Sequence, residues 1–238
     1  MSFELAFAAM ILAGGLGTRL RSVVNDRPKP MATVNGVPFL EILIQSLVRK
    51  GVRNFILLTG YHSESIDEYF SGRRNQDVKI LLSPESAPLG TGGAVKHAEK
   101  FATDPTLLVN GDTFFDVDVG ELLRFHLEHR ARVTLSLCRV DDVSRYGSVL
   151  VNDKGVITGF REKELGTGRP GLINAGLSFL AKDFIHSLPE GPFSMERDVF
   201  TNLTGTGEMF GLRQDGPFFD IGTPESYEMF KAFVKARG

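Results

Sequence analysis

The stretch Leu12-Ala13-Gly14-Gly15-Leu16-Gly17-Thr18-Arg19-Leu20 constrains the fold of this chain more than any other. The apolar run from Phe7 to Leu12 predicts a buried strand, and glycines at 14, 15 and 17 follow it. A glycine loop after a strand lets backbone N–H groups come close to an anion, because no Cβ stands in the way. A helix starting at Leu16 would add its free N–H groups and positive dipole end. Thr18 supplies a hydroxyl, and Arg19 a rigid cationic fork suited to phosphate oxygens. The stretch reads as a triphosphate cradle; the plainer alternative is a tight strand-to-helix turn with no ligand. Two other phosphate loops are excluded by spacing. No Lys-Ser or Lys-Thr follows these glycines, as Walker A requires, and position 20 is leucine where the dinucleotide fingerprint needs its third glycine.

Ten residues beyond Arg19 comes Lys29, within Arg27-Pro28-Lys29-Pro30-Met31. Prolines on both sides restrict the backbone, so the ammonium is held near one place. A rigid surface turn with a solvated lysine is the alternative. Taken together, Gly14 to Leu20 and Pro28-Lys29-Pro30 resemble the signature of the sugar-1-phosphate nucleotidyltransferases. The stretch from Arg19 to Glu41 is most similar to the heptose-1-phosphate guanylyltransferase branch. The resemblance runs from about Ala8 to Tyr227. It implies that the glycine loop (Leu12, Ala13, Gly14, Gly15, Gly17 and Thr18) wraps the nucleotide phosphates. Arg19 would support the departing pyrophosphate, and Lys29 would contact the reacting phosphate.

With 238 residues, 42% apolar and 24% charged, the chain has the composition of a globular protein of one large domain or two small ones. A net charge of −2 gives no reason to expect nucleic acid or an anionic membrane as partner. The single cysteine, Cys138, lies in the apolar run Val133 to Val140, which predicts a buried structural thiol and fits a reducing compartment. The first apolar stretch breaks at Gly14, too short to span a bilayer, and no basic leader precedes it. A cytoplasmic protein is expected, and homo-oligomerisation is left open.

Periodicity predicts a helix opening at Pro38 and stopping at Gly51, a strand over 55–59, a helix over 63–70 and a strand over 78–82. This β-α-β-α-β order argues for a mostly parallel sheet with helices on both faces. A second glycine run, Gly90-Thr91-Gly92-Gly93, precedes a helical pattern from Ala94 to Phe101. The strand Leu107 to Asn110 delivers Asp112 at its C-terminal end, where ligands bind in open α/β sheets. Hard carboxylate oxygens suit magnesium, so Asp112 is a candidate ligand. Asp118 and Glu121 have the spacing of a capping box and are assigned to structure; Asp116 is left open. His126 and His129 are expected on the solvated side of a helix over 122–129. A hairpin is read from Tyr146 to Phe160, turning at Asp153 to Gly155. Ser194 to Leu203 reads as a short helix that mainly packs. Thr223 is expected to cap, and Pro224 to open, a final helix.

The resemblance adds a nucleobase segment at Gly90 and Thr91, with Glu85 the nearest carboxylate to a guanine edge. It also implies a sugar-phosphate site formed by Gly147, Glu162, Lys163 and Asn174. Position 164 is glutamate where the family carries proline, which affects the loop path more than the roles. Asp112 and Asp220 would share one Mg2+, the second within Asp220-Ile221-Gly222-Thr223-Pro224. The implied fold is a Rossmann-like three-layer α/β sandwich with a mostly parallel mixed sheet, of nucleotide-diphospho-sugar transferase type. It forms one domain, with a nucleotide-binding half over 1–140 and a sugar-binding half over 141–238. The implied reaction transfers a nucleoside monophosphate from an NTP, GTP favoured, to a sugar 1-phosphate, D-glycero-D-manno-heptose 1-phosphate favoured. Mannose-1-phosphate guanylyltransferase and uridylyltransferase activities stand as alternatives, as does a non-catalytic sensing module. A glycosyltransferase reading would rest on the D-x-D string Asp116-Val117-Asp118, and the capping role of Asp118 and the triphosphate loop argue against it.

Overall fold

The structure is a computed structural model that describes residues 7–15, 28–60, 64–71, 77–161 and 168–237. Strand β1 (Ala8–Leu12) is followed by a 3-10 turn over Lys29–Met31 and by the short antiparallel pair β2 (Thr33–Val34) and β3 (Val37–Pro38). Helix α1 (Phe39–Arg49) opens directly after Pro38 and stops at Gly51, whose φ of +95° suits glycine alone. Then come β4 (Asn54–Thr59), α2 (Glu64–Ser71), β5 (Lys79–Pro84), α3 (Gly90–His97), β6 (Thr106–Asn110), β7 (Thr113–Phe115) and α4 (Val119–Glu128). The second half holds β8 (Val133–Val140), β9 (Ser148–Val151), β10 (Ile157–Arg161), β11 (Gly171–Leu180) and α5 (Lys182–Ser187). A π-helical turn (Met195–Phe200) runs into α6 (Thr201–Leu203), and β12 (Met209–Arg213), β13 (Phe218–Asp220) and α7 (Pro224–Arg237) complete the chain.

Among the described residues a nine-stranded sheet organises these elements. Its N-terminal part, β5-β4-β1-β6, is parallel throughout, as the alternating pattern predicts. The long strand β11 then pairs antiparallel with β6, β8 and β9, joining the two halves into one sheet. One apolar layer buries Phe39, Leu40, Leu43 and Phe230 against one face. Another buries Val95, Ile185, Met195 and Phe200 against the other. The result is the expected three-layer α/β sandwich.

The chain moves from β1 to β4 and β5 on one side and later returns to β6 on the other. Adjacent loops therefore diverge at the C-terminal ends of β1 and β6, which is where open α/β sheets bind ligands. The loops stay close at their roots. Ala13 N–H donates to Leu58 O at 2.8 Å, and Gly111 N–H to Leu12 O at 3.0 Å.

Three expectations change. The glycine run is not a loop before a helix but the first turn of α3, which begins at Gly90 rather than Ala94. Its glycines serve packing: a Cβ on Gly92 would overlap the Phe193 ring, and one on Gly90 would stand 2.5 Å from Phe193 O. His126 is buried, 3% exposed, on the face of α4 that carries Val119 and Leu122; His129 is exposed as expected. Imidazole is tolerated inside because Nδ1 lies 2.9 Å from Thr134 Oγ1. Finally, the capping box is half formed. Asp118 accepts from Glu121 N–H at 3.0 Å, but the Glu121 carboxylate turns to Gln214 Nε2 at 2.9 Å.

The remaining carboxylate of the D-x-D string is also spent on structure. Asp116 bonds Lys50 and Arg237, each at 2.5 Å, tying α1 and the end of α7 to the loop after β7. Burial works to raise its pKa, but the hydrogen bonds and charges of Arg237 and Lys50 outweigh that and hold it below the usual carboxylate range. Asp116 is engaged by two cations and Asp118 by the helix cap, so both carboxylates of the string serve the scaffold. Cys138 is buried as expected, and burial pushes its thiol up, towards the neutral form.

Candidate active site

Two cavities open at the strand ends and share a wall made by Asn110, Asp112 and Glu196. One, about 400 Å3, is lined by Leu12, Gly14, Gly15, Glu85, Gly90 and Thr91, the described nucleotide-binding candidates apart from Ala13. Ala13, between Leu12 and Gly14 in the chain, is buried. The other, about 300 Å3, contains Gly147 and Asn174 with Tyr146, Thr113 and Asp220. Gly17, Thr18, Arg19, Glu162 and Lys163, and the helix start expected at Leu16, lie outside the described residues.

Of the paired glycines in the first cavity, Gly14 acts by close approach, whereas a Cβ on Gly15 would meet nothing within 4 Å. A Cβ on Gly14 would stand 3.0 Å from Gly60 N and 3.3 Å from Glu85 Oε1. The backbone at Gly14 and Gly60 thus makes room for the Glu85 carboxylate at the cavity wall. Glu85 Oε2 accepts from Leu89 N–H at 3.2 Å. Burial nevertheless pushes the carboxyl pKa up, with the Leu89 N–H and the charge of His97 opposing it. Thr91 lines the cavity, but its hydroxyl is engaged by the π-helical turn. It donates to Glu196 Oε2 at 2.8 Å and accepts from Met195 N–H at 2.9 Å. The N–H groups of Gly92 and Gly93 likewise point to Phe193 O.

The pair Asp112 and Asp220 is assembled by a two-stranded ribbon. β13 runs antiparallel to β7 with Asp220 opposite Thr113, and Ile221 N–H donates to Asp112 O at 3.0 Å. Phenylalanines hold the ribbon on α7: Phe114 and Phe219 lie 5.1 and 5.4 Å from the Phe230 ring, and Phe219 lies 4.8 Å from Phe233. Lys29 reaches in from the proline-flanked turn. Its Nζ is 2.6 Å from Asp112 Oδ2 and 3.7 Å from Asp220 Oδ1. Asp220 Oδ1 also accepts from Gly222 N–H at 2.7 Å. Two carboxylates therefore converge on one cation, at the wall between the cavities.

This donor set fits a divalent cation of the magnesium type. Such an ion takes one or two carboxylates and completes its octahedron with water and substrate phosphates. Among the described residues no cluster of three or more acidic, histidine or cysteine side chains gathers.

Asn174 owes its place to an irregularity. Along β11 the register with β8 shifts between Asn174 and Ser178, and Gly176 adopts a φ of +79°. Asn174 Oδ1 accepts from Gly176 N–H at 3.2 Å, which leaves the amide NH2 as a donor at the cavity. Gly147 closes the mouth of the β9–β10 hairpin, where a Cβ would stand 3.0 Å from Arg161 O.

Against this geometry, the model of the nucleotidyl transferase family matches residues 8–237. The chain belongs to that family. This nucleotidyl transferase is 39% identical to the D-glycero-alpha-D-manno-heptose 1-phosphate guanylyltransferase of Campylobacter jejuni, over 93% of this chain and 97% of that one. It is 40% identical to the protein of the same description from Aneurinibacillus thermoaerophilus, over 92% and 94% of the two chains. Among solved structures it is similar to HddC from Yersinia pseudotuberculosis complexed with GMP-PN. The TM-score there is 0.85 at 34% identity, covering 96% of this chain and 99% of that chain.

Sequence reasoning missed Asn110 and Glu196. Asn110 ends the same strand that announces Asp112, so the strand-end rule could have found it. Glu196 has no such mark: it sits one residue into a π-helical turn, a rare element that recurs at functional sites and has no sequence signature.

Proposed function

We propose that this nucleotidyl transferase transfers GMP from GTP to D-glycero-α-D-manno-heptose 1-phosphate, releasing pyrophosphate. The observation that carries the reading is the meeting of Lys29 and Asp220 with Asp112, which lines both of two adjoining cavities. Such a site can hold two phosphorylated substrates with their reacting phosphates side by side. The base and the sugar are inferred from the described relatives.

In this reading the sugar phosphate oxygen attacks the α-phosphorus of GTP, and the bond to the β-phosphate oxygen breaks. The attacking group is already an anion, so no protein nucleophile is needed. Catalysis is positioning and charge neutralisation. Lys29 places its ammonium against the phosphate that is attacked. Asp112 and Asp220 would hold Mg2+, which supplies charge neutralisation on phosphate oxygens when bound. The loop 12–18 wraps the triphosphate, and Arg19 supports the leaving pyrophosphate. Glu85 accepts from the guanine N1–H and N2–H2 edge, beside Gly90 and Thr91. Glu162 and Lys163 hold the sugar hydroxyls and phosphate, with Gly147 and Asn174 against the ring. The compartment proposed is the cytoplasm. No helix of the described residues is long and apolar enough to cross a membrane.

A matrix of nucleoside triphosphates against sugar 1-phosphates, with and without Mg2+, tests this by pyrophosphate release. Release that needs GTP and a manno-configured heptose phosphate is expected. Release with UTP or dTTP instead would overturn the base assignment. No release from any pair would move the protein to a sensing role.

A further inference from the structure

Glu196 is a carboxylate that lines both cavities from the π-helical turn rather than from the sheet. Its orientation is fixed through one oxygen. Oε2 accepts from Thr91 Oγ1 at 2.8 Å and from Ser194 Oγ at 3.2 Å. Thr91 is itself locked by Met195 N–H, and Ser194 caps the turn by accepting from Arg197 N–H at 3.2 Å. Oε1 has no partner among the described residues, and none of them brings a cation to this carboxylate. Packing of Gly92 and Gly93 against 191–193 sets the whole assembly in place.

An ionised carboxylate only accepts hydrogen bonds. It therefore repels phosphate oxygens and selects a donor. The wall it shares with Asn110 and Asp112 faces the reacting end of each substrate. On a sugar 1-phosphate the anomeric carbon carries the phosphate, and the ring oxygen has no hydrogen to give. The first donor from that end is the C2 hydroxyl. We propose that Glu196 accepts a hydrogen bond from the C2 hydroxyl of the sugar 1-phosphate and so reads the configuration at C2. This rests on the sugar 1-phosphate reading above. Glu196 is then the specificity-determining group for manno over gluco acceptors, with Thr91 and Ser194 as its positioning residues. Because Thr91 also lines the nucleotide cavity, the group that reads the sugar is oriented from the nucleotide side.

The test is initial-rate pyrophosphate release by the native chain, Glu196→Gln and Glu196→Ala. Acceptors are the manno-heptose 1-phosphate, its 2-deoxy and 4-deoxy analogues and its C2 epimer; donors are GTP, 2′-deoxy-GTP and 3′-deoxy-GTP. Loss of one hydrogen bond to a charged group costs roughly 10- to 150-fold. The native chain should show that preference for the parent over the 2-deoxy sugar. In Glu196→Ala, kcat/KM for the parent and the 4-deoxy sugar should fall by roughly 10- to 150-fold while the 2-deoxy value stays within about twofold. Glu196→Gln, whose amide oxygen still accepts, should recover part of the loss. If the alanine variant does not fold, the isosteric glutamine variant carries the same comparison. Equal losses for parent and 2-deoxy sugar would overturn the proposal in favour of a packing role. A collapse of preference on 2′- or 3′-deoxy-GTP would overturn it in favour of a ribose contact. No release by the native chain with any acceptor would overturn the function reading, and this assignment with it.

Discussion

Replacing Lys29 by methionine should move two measurements in opposite directions. The Lys29 ammonium is shared by Asp112 Oδ2 at 2.6 Å and Asp220 Oδ1 at 3.7 Å, so on the proposed metal reading it competes with a divalent cation for these oxygens. At these separations the gross Coulomb attraction is several kcal/mol in an effective dielectric of about 20. Water reaches both partners, however: the Asp112 side chain is 41% exposed and that of Asp220 25%. Screening leaves a net contribution on the order of 1 kcal/mol. Removing the ammonium should therefore tighten divalent binding to the nucleotide-free protein by roughly five- to tenfold, since about 1.4 kcal/mol is a factor of ten. Turnover should fall by about two to three orders of magnitude, because a cation aimed at the developing charge is lost. Mn2+ titration followed by electron paramagnetic resonance measures the first, and pyrophosphate release the second. If Lys29→Met bound Mn2+ no more tightly than the native chain, the ammonium would not compete for these oxygens. Near-native turnover in the folded variant would remove Lys29 from the reaction.

Asp112→Asn should abolish magnesium-dependent turnover with the unfolding midpoint little changed; a rate that ignores a magnesium titration would sink the metal assignment. His126 should make stability depend on pH. Burial pushes its pKa down to about 4, with the charge of Asp104 opposing. Its contribution is full above the unfolded value of about 6.5 and is lost as pH falls towards 4, by at most about 3 kcal/mol. Urea unfolding at pH 7 and pH 5 should show that slope in the native chain and a shallower one in His126→Gln. Gly92→Ala should cost about 1–3 kcal/mol in urea unfolding, because its Cβ meets the Phe193 ring; an unchanged midpoint would mean that Phe193 swings away freely.

The features legible in the sequence are those whose cause is local. The strand-end positions of Asp112 and Asp220 follow from apolar runs that stop at an acid, and the Asp118 cap from spacing alone. What could not be read depends on partners far along the chain. Asp116 is settled by Lys50 and Arg237, 66 and 121 residues away. His126 is admitted to the core by Thr134 on the next strand and by the Phe179 ring 5.8 Å away. The glycines at 90–93 look like a phosphate loop because loop and close helix packing require the same residue. The segment holding Gly191 and Phe193, about a hundred residues on, decides between them.

That last ambiguity bears on how the site works. In the N-terminal half a glycine loop and a strand end meet by local sequence, and a ligand cavity follows from the sheet topology alone. The cavity lined by Gly147, Asn174 and Glu196 has no comparable local rule, and these residues arrive on a hairpin mouth, a bulged strand and a π-helical turn. Each of these is an irregularity that re-aims a side chain at some cost in regular hydrogen bonding. They are tolerated because regular elements close by compensate: α3 packs on 191–193, β7 pairs with β13, and the phenylalanines of α7 hold that ribbon. That cavity, the proposed acceptor side, is thus built from positions that packing holds, not from positions that local sequence dictates. A substitution at Gly92 or Phe193 touches no substrate. It should nonetheless alter the choice of sugar before it alters the choice of nucleotide, because the first thing those residues carry is the turn bearing Glu196.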